Sequence, residues 1–376
     1  MSILKLRPGL RELKTILLHV FPLAIGILTP LGKMKVGILT FHHATNYGAV
    51  WQCLSLSQAV RSLGHDVEVI GFRHPLAEKN YRDHLLRSRH APFNLLKAWR
   101  LSRDLRQGTK LSSTCHNPGD LRNVASRYDA VIVGSDEVWN IEGMRGWTPA
   151  YFLDFVPDHV RKISYAASTG HKISATKHAA ELKRLLARFD AISVRDATSA
   201  DVVEGWTSNR PQVVVDPTLL PSHQLLEPTW DHVALYGGLA RSSKQWLRRV
   251  ASKRGIQVIS VGFSNRVGGR IRIQADLEEW LQTIGSARLV ITTTFHGVMA
   301  AITQRRPFWV LPRMDGATKV FDFLSAYGLL HRSLDPNNLP DHLDFEQEIN
   351  YPGLWRALEE DQRLSLNFLA SSLEGA

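Results

Sequence analysis

The segment Thr292-Thr293-Thr294-Phe295-His296-Gly297 joins an apolar run, Leu289-Val290-Ile291, to a helical pattern that opens with Val298-Met299-Ala300. A strand-to-helix turn of this kind sets a histidine at a helix N-terminus, where unpaired N–H groups and the helix dipole favour an anion. Gly297 lets the backbone approach a ligand closely. Taken alone, the hexapeptide also fits a first-turn helix histidine with a satisfied ring.

Three further runs end in polar residues that can do chemistry. The first is Thr40-Phe41-His42-His43-Ala44-Thr45-Asn46-Tyr47-Gly48, where Asn46 can cap a helix while His42, His43 and Tyr47 line a cleft. A polar turn with its histidines facing water is the competing reading. The second is Gly134-Ser135-Asp136-Glu137-Val138-Trp139-Asn140. Asp136 and Glu137 suit acid/base work or hydroxyl recognition, with Trp139 stacking on a sugar face and Asn140 beside it. Against that, Ser135 or Asp136 merely caps a helix and Trp139 fills the core. The third is Ile192-Ser193-Val194-Arg195-Asp196, whose arginine suits two-pronged binding of a carboxylate or phosphate; the alternative is a surface pair of Arg195 with Asp196. Lys319 follows the last strand and offers a second cation near His296, although a lone lysine is commonly exposed.

Several chemistries are excluded. No Walker A sequence, no G-x-G-x-x-G after the first strand and no G-x-S-x-G elbow occurs. Gly237-Gly238 is a weak phosphate signal. Two cysteines, Cys53 and Cys115, give neither a disulfide framework nor a metal knuckle, so no metal or resident cofactor is expected and a reducing cytoplasm fits. The net charge of +11 is concentrated: residues 73–110 hold ten Lys/Arg against three acids. That stretch reads as a basic insertion, facing either solvent or an anionic membrane leaflet or lipid-linked pyrophosphate. No helix-turn-helix, zinc-finger or RNP pattern accompanies it, so nucleic acid is not expected.

These residues need strands to deliver them. Short β-branched runs alternate with helical patterns, the mark of parallel α/β layers. Strands are expected at 36–41, 66–71, 129–134, 162–166, 191–194, 212–215, 232–236, 257–262, 289–293 and 308–311. With 376 residues the chain exceeds one ordinary core, and two doubly wound domains are expected, residues 34–221 and 222–334, facing across a cleft at their strand C-termini. The break falls at Asp216-Pro217, and residues 335–376 form a helical tail with Leu354, Leu358, Leu366, Leu369 and Leu373 on one side. Residues 1–33 are a basic, then apolar, extension whose run of 16 residues is short of a bilayer span. It reads as an interfacial segment or as sequence ahead of a start at Met34, dispensable for folding.

Taken in order, Phe41–Val50, Gly134–Asn140, Ile163–Ser168, Ile192–Asp196, Val215–Thr218 and Thr294–Gly297 resemble the polysaccharide pyruvyl transferase family, over about Met34 to Leu334. The resemblance implies a GT-B-like fold of two Rossmann-like domains. It also implies transfer of pyruvate from phosphoenolpyruvate, as co-substrate, onto two hydroxyls of a sugar in a surface polysaccharide or its lipid-linked precursor. His296 then matches the family's central histidine and Arg195 a donor-binding arginine. Some members carry arginine where Thr294 stands, so Lys319 becomes the substitute, with Thr294 and Gly297 in the donor loop; Glu137 stands where glutamine is expected. Asp136 is the candidate acceptor of the sugar proton. A cytoplasmic enzyme touching the inner membrane face through 1–33 or 73–110 follows. The competing classes are a GT-B glycosyltransferase with a nucleotide-sugar donor and a non-catalytic carbohydrate binder.

Overall fold

The apolar runs fold as parallel strands, most of them buried on both faces as parallel sheets require. The computed structural model describes residues 32–43, 45–173, 177–229, 231–312, 318–345 and 347–374. Expectations for the amino-terminal extension therefore lie outside the described residues, apart from Gly32 and Lys33. The first sheet contains β1 (Lys35–Leu39), β2 (Asp66–Phe72), β3 (Lys110–Cys115), β4 (Ala130–Val133), β5 (Arg161–Ala167), β6 (Ala191–Val194) and β7 (Gln212–Val213), in the order β3-β2-β1-β4-β5-β6-β7. The second contains β8 (His232–Tyr236), β9 (Gln257–Val261), β10 (Gly269–Arg272), β11 (Leu289–Thr292) and β12 (Phe308–Val310), in the order β10-β9-β8-β11-β12.

In both sheets the chain winds outward in two directions from a central pair, β1/β4 in the first and β8/β11 in the second. Such switch points open a crevice beyond the strand C-termini. The loops after β1 and β4 and the turn after β11 are three of the four segments singled out for chemistry, so topology places these three at crevices; the fourth, with Arg195, follows β6.

The helices are α1 (Tyr47–Ser62), α2 (Pro75–Arg87), α3 (Ala91–Gly108), α4 (Pro118–Ala125), α5 (Ala179–Leu186), α6 (Ala197–Thr207), α7 (Arg241–Lys253), α8 (Leu277–Gly285), α9 (Phe295–Thr303), α10 (Thr318–Ala326) and α11 (Tyr351–Glu374). Asn46 caps α1 through its Oδ1, which accepts from Gly48 N at 3.0 Å, and Gly64 at φ 94° lets the chain turn away after the helix. All five leucines of the α11 stripe are buried. The helix braces the first sheet, with Ser365 Oγ accepting from Val215 N at 3.0 Å and Ser372 O from Arg161 Nη1 at 3.1 Å.

Two differences from expectation concern edges. β3 and β10 have no apolar alternation to announce them; Lys-Leu-Ser-Ser-Thr-Cys and Gly-Arg-Ile-Arg each pair on one side only. Because β3 starts at Lys110, residues 73–110 are a two-helix crossover between adjacent parallel strands rather than an insertion. Part of its charge is spent inside the molecule. Lys97 Nζ donates to Gly262 O at 3.1 Å, Arg100 Nη1 lies 2.9 Å from Glu279, and Arg103 Nη2 lies 3.2 Å from Asp276. With Tyr47, which stacks on Trp280 at 5.3 Å and donates to Ala275 O at 2.8 Å, these contacts fasten the two domains together. Burying one aromatic ring this way contributes about 2–3 kcal/mol.

Candidate functional site

β11 is fully buried and exits through three threonines, two of which shape the turn. Thr292 Oγ1 donates to Tyr236 O at 2.8 Å, and Thr294 Oγ1 accepts from Gly297 N at 3.1 Å, capping α9. Thr294 is thus engaged as a cap. A Cβ on Gly297 would lie 2.0 Å from Thr292 Oγ1, so the close approach this glycine permits is helix against strand end. His296 follows in the first helical turn, 7% exposed. It meets α1 of the other domain: a Cβ on Gly48 would lie 2.1 Å from His296 Nδ1.

The facing groups come from the C-terminal ends of β4, β6 and β7. Arg195, directly after β6, has a side chain only 1% exposed, its guanidinium carbon 4.5 Å from the ring centroid of Phe295. Its Nη1 lies 3.0 Å from Asp216 Oδ2, so the alternative reading, a surface pair with Asp196, does not hold; Asp196 instead caps α6 through Ser199 N at 2.8 Å. Asp216 is the functional residue that sequence reasoning passed over, although it stands in one of the six motifs. Its Oδ2 also lies 3.3 Å from Ser135 Oγ and 3.8 Å from His296 Nε2, while Oδ1 accepts from Thr218 Oγ1 at 2.7 Å and Thr218 N at 3.0 Å. One buried carboxylate therefore orients both the arginine and the histidine.

The electrostatics follow from this packing. Burial pushes the Asp216 carboxyl up, but His296, Arg195 and the Thr218 donors more than offset it and hold the group below its ordinary value. Burial lowers the His296 imidazole, and the carboxylates of Asp216 and Asp136 oppose that without overcoming it. Burial likewise disfavours the charged Arg195, yet Asp216, Asp136 and Asp196 raise it above its usual range. His296 Nε2 and Arg195 Nε and Nη2 are buried with no hydrogen-bond partner. Buried polar atoms are nearly always paired, so three such nitrogens around one carboxylate are free to donate to an oxygen-rich group.

Asp136 sits in the left-handed region at φ 77°, 8% exposed, with Oδ1 accepting from Glu137 N at 2.8 Å. Lys319, from the first turn of α10, pairs with Glu137, and Asn140 Nδ2 donates to the same carboxylate at 3.0 Å. Burial raises this carboxyl, but Lys319 and Asn140 bring it down to about 2. Lys319 is close enough to His296 to depress it, and it is braced by an acid.

Other expected residues divide. Asn46, at the exposed head of α1, accepts from Tyr236 Oη at 3.2 Å and so stands where the domains meet. His42 and His43 line a cavity of about 280 Å³ beneath α2 and α3. Burial lowers them to about 4 and about 2, assisted at His43 by His42 and at both by Arg73. Two cleft-lining assignments are corrected. Trp139 is wholly buried, stacked on Phe152 at 5.6 Å with Nε1 donating to Tyr151 O at 2.9 Å, because its ring is needed in the first domain's core. Tyr47 is 1% exposed and serves as the plug between domains described above. The residues after Ser135 form turns, not a capped helix. No group of three or more His, Cys, Asp or Glu among the described residues is arranged to hold a metal.

Two Rossmann-like domains with their switch points opposed define a GT-B-like architecture, and solved structures share it. Arabidopsis thaliana UGT89C1 complexed with UDP-L-rhamnose aligns with a TM-score of 0.51 at 11% identity, covering 90% of this chain and 98% of that one. The spinosyn forosaminyltransferase SpnP gives 0.48 at 13%, covering 89% of this chain and 95% of that one. The likeness is one of fold. A comparison with curated proteins finds no match. The model of one family, polysaccharide pyruvyl transferase, matches residues 46–315, and the chain belongs to that family. The matched span contains Asp136, Arg195, Asp216 and His296 and ends before Lys319.

Proposed function

We propose that this chain transfers the pyruvyl group of phosphoenolpyruvate to two hydroxyls of a sugar, forming a ketal in a cell-surface polysaccharide or its lipid-linked precursor. The observation that carries the reading is the set of three unpartnered buried nitrogens, His296 Nε2 and Arg195 Nε and Nη2, organised by Asp216 in a chain of this family. A small trianion needs this kind of dense, oriented cationic seat.

In the reaction a sugar oxygen bonds to C2 of the enol phosphate while C3 takes a proton. The C2–O bond to phosphate then breaks, inorganic phosphate leaves with its electron pair, and the second hydroxyl oxygen bonds to C2. Two hydroxyl protons are lost, one balancing C3 and the other the departing phosphate. Arg195 grips the donor carboxylate or phosphate, and Lys319 supplies further positive charge. His296, held low while the site is free of substrate, gains basicity when the trianion arrives beside it, so the proton taken up with the donor is the one delivered to C3. Asp136, beside His296 and Arg195, accepts the proton of the attacking hydroxyl.

The test incubates purified protein with phosphoenolpyruvate and a panel of aryl and lipid-linked glycosides, following phosphate release and the product mass. Acceptor-dependent phosphate release with a ketal product is expected. His296→Ala abolishes it, and Arg195→Ala chiefly raises the KM for phosphoenolpyruvate. Consumption of a nucleotide-sugar in place of phosphoenolpyruvate would overturn the proposal.

A further inference from the structure

Helices α2 and α3 expose an unusual surface. Half of the twelve large apolar side chains exposed among the described residues fall within 24 positions: Leu76, Leu86, Phe93, Leu95, Leu96 and Trp99, with Leu86 and Trp99 each 60% exposed. Their placement is helical. On α2 the solvent stripe reads Leu76, Lys79, Arg82, Leu86; on α3 Leu95, Leu96 and Trp99 lie opposite the buried Lys97, Leu101 and Leu105. Exposed apolar side chains gathered on two adjoining helices of a polar surface mark an interaction site.

The charge on this surface selects the partner. Lys79, Arg82, Arg87 and Arg89 are exposed along the hairpin and its connecting turn. Of the three acids in residues 73–110, Glu78 pairs with Arg73 at 3.4 Å and Asp104 pairs with Arg103 at 2.8 Å. Asp83 alone remains against the basic groups. A protein interface gathers its apolar residues at a centre depleted of charge. Here lysine and arginine alternate with leucine in one stripe, so apolar side chains can enter the acyl boundary while cationic heads reach lipid phosphates. Trp99 suits the same boundary.

We infer that the α2–α3 hairpin is a docking surface for an anionic lipid bilayer, on which the molecule lies peripherally. No helix among the described residues is long and apolar enough to cross a membrane. The inner side of the hairpin closes the cavity lined by His42, His43 and Thr45 at the end of β1, with Arg82 and Leu86 at its rim. Docking therefore brings a lipid surface to the acceptor side of the site. That last consequence rests on the proposed transfer to a lipid-linked sugar; the docking itself does not.

The test is sedimentation of the full chain with vesicles of phosphatidylcholine alone or containing 30% phosphatidylglycerol (about one lipid in three). Binding to the anionic vesicles, weakened by salt, is expected. Two full-length variants that avoid the cavity, Leu76→Ser/Phe93→Ser/Trp99→Ser and Lys79→Gln/Arg87→Gln/Arg89→Gln, should each lower partitioning at least about tenfold. Both should keep wild-type turnover of a soluble glycoside. Equal binding to neutral vesicles, no binding at all, or variants that bind like wild type would overturn the inference, the second result directing the patch to a protein partner. Vesicle binding through these residues in a protein with no phosphoenolpyruvate turnover would sustain docking while removing the transfer reading.

Discussion

Asp216→Asn isolates the residue on which the site converges. The side chain keeps its shape and its Thr218 contacts, but the buried guanidinium of Arg195, 3.0 Å away and 1% exposed, loses its counter-charge. Breaking a buried pair by removing one partner costs about 3–5 kcal/mol; at least about 3 kcal/mol is expected in chemical denaturation, since the amide that keeps its oxygen on Thr218 turns its NH2 toward the guanidinium. Removing both charges, in Asp216→Asn/Arg195→Met, should recover most of that loss, giving a coupling of about 2 kcal/mol. Catalytically, kcat/KM for phosphoenolpyruvate should fall about a hundredfold as Arg195 and His296 lose their alignment. The pH profile adds a directional check. Asp216 raises the imidazole, so without it His296 protonates only at lower pH, and the limb of kcat/KM that declines with rising pH should move toward acid. A variant with wild-type stability and an unmoved limb would show that Asp216 organises nothing.

Three further outcomes follow. Gly48→Ala should cut kcat/KM about a hundredfold and cost about 1–3 kcal/mol in stability, since its methyl group would overlap both the ring and the Cβ of buried His296; unchanged kinetics would mean that the histidine has room to yield. Lys319→Met should raise the KM for phosphoenolpyruvate about tenfold and cost more than the roughly 1 kcal/mol of an exposed pair, because it leaves the largely buried Glu137 carboxylate without its counter-charge; an unchanged KM would remove Lys319 from the donor site. His42 is held at about 4 against an ordinary 6.5, so the unfolded chain binds its proton first and the fold loses up to about 3 kcal/mol as pH falls from 6.5 to 4. His42→Asn, measured by denaturation across that range, should flatten this dependence; an identical slope would place the acid sensitivity elsewhere.

Most of the ten expected strands were legible because each is an apolar run largely buried on both faces, a property of the run itself; β7, two exposed residues at a sheet edge, is the exception. Edge strands β3 and β10 carry no such pattern and exist through their neighbours. That His296, Arg195 and Asp136 lie together was legible because each sits at the end of a strand. The site was not legible where packing decides between two uses of one residue type. Trp139 has the ring a sugar site favours, yet Phe152 and the Tyr151 carbonyl claim it. Asp216 was visible as a strand-end acid before proline, but its role depends on Arg195 and His296 arriving from separate elements. Residues 73–110 showed their charge in the sequence; which lysines and arginines turn inward toward the second domain is set by a contact more than 150 residues away in the chain.

The contact between Gly48 and His296 bears on how such an enzyme can be recombined. The histidine belongs to one domain and the space for its ring to the other, so neither half contains a finished site. A chimera that imports a second domain from a relative brings the histidine along but inherits its seat from the resident α1. Any larger residue there would shift the imported ring at once, whatever the quality of the new domain. Grafting a different specificity onto this scaffold thus requires the α1 head, Asn46-Tyr47-Gly48, to travel with the α9 turn, and crossovers placed at the linker between the sheets would separate two segments that function only as neighbours.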